Sequence, residues 1–176
     1  MFVDADFAGW YHQEHSTLCD NVLSRTGYVI NFCGCPFHWV SKLQSEIALS
    51  NTESKYLALS MATRDLLPLR RILEEIHKYS MVQVPLSNEY STTRMPTLST
   101  TGTYEDNAAC TMLANSDSCK QRTKHIAIKW HYFRDQIRLG HIKIVKIDMH
   151  HNWADILTKP LGRQKFESLR KLLMGW

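Results

Sequence analysis

The chain has 176 residues, 44% hydrophobic and 22% charged, which suits one globular domain with a core of its own over residues 1–176. Its formal net charge of +4 is compatible with a polyanionic partner without requiring one. No apolar run reaches the roughly 20 residues of a membrane span, and the N-terminus lacks the charged-then-apolar pattern of a signal peptide.

Met1-Phe2-Val3 is an apolar stub that runs straight into Asp4, shorter than an ordinary strand and read as a truncated first strand. Residues 11–25 are mixed and polar, a loop. Gly27 to Phe32 is rich in β-formers, Gly34 marks a tight turn, and Pro36 to Val40 returns, so a hairpin is expected. Ser50 and Glu53 have the spacing of a capping box. The helix behind it places Tyr56, Leu59, Thr63, Leu66, Leu69, Ile72 and Ile76 on one face, with Pro68 expected to kink or split it.

Residues 80–96 have no period and read as a surface connection. Residues 97–104 predict a weak, Thr-rich strand, and Asn107 to Ala114 a short helix. His125 to Leu139 is a helix capped by Gly140. His141 to Ile147 alternates as a half-buried strand. Trp153 to Lys159 is a short helix stopped by Pro160, and 163–174 form a last helix within a C-terminal stretch 163–176. The order predicts an α/β domain with a mixed sheet.

Cys19, Cys33, Cys35, Cys110 and Cys119 form no even framework and read as reduced thiols of an intracellular protein. Cys33 and Cys35, with His38 nearby, have the wrong spacing for a zinc knuckle. The aspartates are more telling. Asp4, Asp106 and Asp155 each sit at the end of a strand or the start of a helix, from where carboxylates can converge at a sheet edge. Such clusters bind hard divalent cations, and two ions can clamp the oxygens of a phosphodiester in hydrolysis. Aspartate is also common at caps and turns, which is the plainer explanation of each one alone.

Seven stretches stand in order along the chain: Asp4-Ala5-Asp6-Phe7-Ala8-Gly9, Ser24 to Tyr28, Trp39 to Gln44, Leu49 to Leu59, Asp106-Asn107, Arg122-Thr123-Lys124-His125-Ile126, and Ala154-Asp155-Ile156-Leu157-Thr158-Lys159-Pro160-Leu161. Together they resemble the RNase H domain of copia-type retrotransposon Pol polyproteins. The resemblance implies a ribonuclease H-like fold, a five-stranded mixed sheet flanked by helices. It implies hydrolysis of the RNA strand of an RNA:DNA hybrid by a water activated on two Mg²⁺ or Mn²⁺ ions. It further implies a neighbouring reverse transcriptase domain in the same polyprotein and a cytoplasmic (virus-like particle) or nuclear location. Asp4, Asp106 and Asp155 match three of the family's four carboxylates as catalytic and metal-binding residues. Asn107, Arg122 and Lys124 fall in motifs suited to nucleic-acid contact; Arg122 and Lys124 also belong to a basic stretch with Lys120, Lys129, Arg134 and Arg138, which reads equally as a solvated helix face. His150 or His151 matches a loop histidine that aids product release, with an exposed loop residue as the alternative.

The fourth carboxylate is missing. The family's helix glutamate falls on Lys55, and Glu53, two residues away, lies roughly 200° around the helix. The exchange alters the local charge by two units, and an ammonium near the aspartates competes with a metal ion. Weak Mg²⁺ binding and poor cleavage are therefore expected. The competing readings are a catalytically dead fold that still binds nucleic acid, and an integrase-like polynucleotidyl transferase, which the ending around Asp155 argues against.

Overall fold

A computed structural model describes residues 1–9, 22–79, 100–115 and 127–176, with the side chains of 127–131 excepted. Five strands form one mixed sheet in the order β3-β2-β1-β4-β5: β1 Phe2–Asp6, β2 Arg25–Phe32, β3 Cys35–Leu43, β4 Thr101–Glu105 and β5 Ile142–Lys146. The first three pair antiparallel, and β1–β4 and β4–β5 pair parallel. Among the described residues five helices accompany them: α1 Asn51–Tyr79, α2 Ala108–Asn115, α3 Ala127–Arg138, α4 Asp155–Thr158 and α5 Arg163–Met174.

The strand pleat sorts the two faces. Val3 and Ala5 of β1 and Tyr28 and Ile30 of β2 pack with Tyr56, Leu59, Ala62 and Leu66 of α1, and Phe133 of α3 closes on Tyr56. On the other face Phe2 stacks on Trp153, just ahead of α4, with ring centroids 4.5 Å apart. Asp4 lies opposite Gly27 and shares that second face. A Cβ on Gly27 would come within 2.6 Å of Thr158 Cγ2 and 2.9 Å of Leu157 Cβ, so the glycine is what lets α4 lie directly on β2.

The hairpin turns through Cys33 and Gly34, at φ 51° and 80°, the two left-handed residues that a tight turn matched to strand twist requires. The Ser50 half of the capping box is present, Ser50 Oγ accepting from Glu53 N at 3.1 Å, whereas the Glu53 carboxylate reaches one residue further back and accepts from Leu49 N at 2.8 Å. Gly140 adopts a left-handed φ of 73° behind α3.

Several expectations need correction. The first strand continues past the apolar stub to Asp6, so Asp4 is in its interior and not at its end. Pro68 does not split the helix. It lies on the exposed side of one continuous 29-residue α1, where the missing N–H leaves a carbonyl that water can serve. Ile72 and Ile76 are exposed, because the described sheet no longer covers that end of α1, while Arg70 is buried there and donates to Thr101 Oγ1 at 2.7 Å. The surface connection 80–96 lies outside the described residues.

Candidate functional site

The three aspartates converge. Asp4 comes from the middle of the central strand, Asp106 from the residue after β4, and Asp155 from the first turn of α4, and one carboxylate oxygen of each lies within 4.8 Å of the others. Among the described residues this is the one such grouping of possible metal ligands. Cys33 and Cys35 are exposed, and His38 faces Asp65 at 3.3 Å.

Lysines occupy the convergence point. Lys55 Nζ donates to Asp4 Oδ1 at 2.6 Å and to Asp106 Oδ1, and stands 3.3 Å from Glu105 Oε1. Lys159 Nζ reaches Asp155 Oδ1 at 2.8 Å and Asp4 Oδ2 at 3.0 Å. Lys165 Nζ donates to Asp155 Oδ2 and, at 3.1 Å, to Met149 O. Five of the six aspartate oxygens therefore sit on an ammonium. Thr158 Oγ1 also donates to Asp4 Oδ2.

Charge and burial follow from these contacts. Asp4 is fully buried, which alone would favour its neutral form, but Lys55 and Lys159 hold its carboxyl below the usual range. Burial likewise opposes the charge on Lys55, yet Glu105 and Asp4 keep its ammonium well above the ordinary lysine value. Glu105 goes the other way. Burial pushes its carboxyl up to about 8, against the pull of Lys55. Lys55 sits closer to Asp4 and Asp106 than to Glu105, so Glu105 is the acid left protonated at neutral pH.

Three lysines thus balance three aspartates. A divalent ion needs several oxygens free to turn onto it at short range, and here those oxygens are engaged by tethered cations. The donor set has the right composition for Mg²⁺ or Mn²⁺, but as arranged it does not fit either ion.

The other expected residues distribute unevenly. An open cleft of about 480 Å³ leads to the cluster, lined in part by Lys55, Asp106, Asn107 and Lys159. Asn107 Oδ1 caps α2 through Cys110 N at 2.9 Å. Arg122, Lys124 and Lys120 lie outside the described residues. Arg134, expected on a basic face, is buried, and Arg138 is exposed. His150 and His151 are exposed on the turn beside Met149, which lines the cleft.

No family model matches the chain. It is similar over most of its length to three curated proteins. Retrovirus-related Pol polyprotein from transposon TNT 1-94 of Nicotiana tabacum is 31% identical over 172 residues, 98% of this chain. The Pol polyproteins from transposons RE1 and RE2 of Arabidopsis thaliana are each 29% identical, over 95% and 97% of it. The chain is similar to one segment of these retrovirus-related Pol polyproteins from copia-type transposons. It spans only 10–11% of the relatives' own lengths. No helix among the described residues is long and apolar enough to cross a membrane.

Four site residues escaped the sequence reading. Glu105 was legible in principle, because it follows Thr103 by two in β4 and both are fully buried. Lys159 stands four residues after Asp155, an ion-pair spacing on a helix. Asn152 is fully buried, donating to Val3 O at 2.9 Å and accepting from Ala154 N at 3.2 Å, and so ties the approach to α4 onto β1. Lys165 gave no signal, because its partner comes from a separate helix.

Proposed function

We propose that this chain is a ribonuclease H-type domain of copia-type Pol descent that engages RNA:DNA hybrid but whose hydrolytic centre is closed by Lys55. The reading is carried by one observation: the Lys55 ammonium lies among Asp4, Glu105 and Asp106, at the helix position where the resemblance calls for a metal-binding glutamate. In an open centre of this type the aspartates would hold two divalent ions that supply an activated water and neutralise the phosphodiester in flight. Here the chain's own groups do otherwise. Lys55 and Lys159 keep Asp4 ionised and turned inward, and Lys159 and Lys165 hold both oxygens of Asp155.

Hybrid engagement is supported by the Pol relationship, by the net positive charge, and by a cleft walled by Asn107 and Lys159 next to the acids. Backbone shape and 2′-hydroxyls would be read, with little sequence preference. The test is a mobility shift and a cleavage assay on one labelled hybrid with Mg²⁺ or Mn²⁺. Binding that weakens with salt, without cutting, is expected. Efficient cutting by the unaltered chain would refute the closed centre, and no binding would refute the hybrid partner.

The convergence of three aspartates within 4.8 Å favours a second reading, a working hybrid nuclease in which Lys55 swings out when metal and substrate arrive. The same assay separates the two.

A further inference from the structure

We propose that the Lys55 ammonium is a built-in structural cation that fastens α1 to β1 and β4 and makes the folded state independent of divalent ions. The inference rests on the reading of this cluster as a closed metal centre and goes beyond it: Lys55 is a working part of the fold, not merely a lesion in a catalytic site.

The geometry supports this in three ways. The Lys55 side chain is 6% exposed and its partners Asp4, Glu105 and Asp106 are 0%, 0% and 11% exposed, so water contributes little to neutralising them. The partners come from two different strands and their ends, while Lys55 comes from the N-terminal part of α1, so one ammonium joins three elements distant in sequence. The cations divide the work. Lys159 and Lys165 serve Asp155 and the far oxygen of Asp4, whereas Lys55 is the ammonium that reaches Asp106 and Glu105 among the described residues. Glu105 Oε2, fully buried beside it, has no hydrogen-bond partner among the described residues, so no other group on this side of the cluster takes over the role of Lys55.

Emptying position 55 of its charge therefore leaves Asp4 Oδ1, Asp106 and Glu105 facing one another across a gap the size of an ammonium. That is a set of oxygens a divalent ion can enter. The variant should depend on an ion that the parent does not need.

The experiment is thermal unfolding of the whole chain and of Lys55→Met, each in a chelator and in millimolar MgCl₂ or MnCl₂, with no nucleic acid present. The parent's midpoint is expected not to move with metal. The Lys55→Met midpoint should fall in chelator by on the order of 10 °C and recover by at least half with metal. A parent midpoint that rises with Mg²⁺ overturns the proposal. So does a Lys55→Met midpoint equal to the parent's in chelator, or one that metal leaves unchanged. If Lys55→Met does not fold in chelator, folding on addition of metal supports the proposal, as does folding without metal of Lys55→Met combined with Asp106→Asn. Failure of both overturns it. Hybrid cleavage by the parent would sink the closed-centre reading in a separate assay, so the two failures are told apart.

Discussion

Lys55 Nζ stands 2.6 Å from Asp4 Oδ1, joining the N-terminal part of the longest helix to the middle of the central strand. A buried ion pair of this kind contributes little net stability when intact, because desolvation offsets the attraction. Breaking it is costly, because the remaining charge is stranded. The properties of the site follow from that asymmetry.

Stability should depend on pH in a direction set by two acids. The folded-state value of Asp4 is depressed by Lys55 and Lys159, so its contribution is present above the ordinary carboxylate range and is lost as pH falls through the folded value. Glu105 is raised to about 8, so its contribution is full below its unfolded value of about 4.3 and is lost as pH rises through 8. Urea denaturation at about pH 5 and about pH 9 should show the folded state weaker at the higher pH, and Glu105→Gln should flatten the difference. An unchanged slope in that variant would mean that Glu105 is ionised in the fold.

Gly27→Ala should destabilise the domain by about 1–3 kcal/mol. The added Cβ would strike Thr158 Cγ2 and Leu157 Cβ, both in α4, and would lift the helix that carries Asp155 and the Asp4 donor Thr158. Urea midpoints measure the loss. A variant as stable as the parent would mean that α4 is not seated on β2.

Glu53→Ala should cost about 1 kcal/mol, the usual value of a helix cap. Its carboxylate is engaged on Leu49 N and takes no part in the aspartate cluster. Placed in a Lys55→Glu background it should leave any recovered hybrid cleavage intact. Loss of cleavage with the fold retained would assign Glu53 as the acid ligand instead.

The architecture was largely readable from local pattern. The hairpin, the capping box and the 163–174 helix are specified by β-formers around Gly34, by Ser50 and Glu53, and by the spacing of Phe166, Leu169, Leu172 and Leu173. What escaped depends on long-range packing. Helical periodicity could not tell that Ile72 and Ile76 lie beyond the sheet's cover, nor that Arg70 is buried against Thr101. The site divides in the same way. Asp4, Asp106, Asp155 and the anomaly at Lys55 stand in recognisable motifs. The counter-charges Lys159 and Lys165, the tether Asn152 and the buried Glu105 acquire their roles only when α4, α5 and β4 meet at one end of the sheet.

The most direct measurement is cleavage of a labelled RNA:DNA hybrid in Mg²⁺ by Lys55→Glu beside the unaltered chain. Replacing the ammonium with a carboxylate removes the cation from Asp4 Oδ1 and Asp106 Oδ1 and supplies the missing acid. The parent is expected to be silent and Lys55→Glu to cut, with a rate gain of at least about a hundredfold, on the order of what a positioned charge contributes at such a centre. Equal cutting by both would contradict the account, because Lys55 would then be no barrier to catalysis.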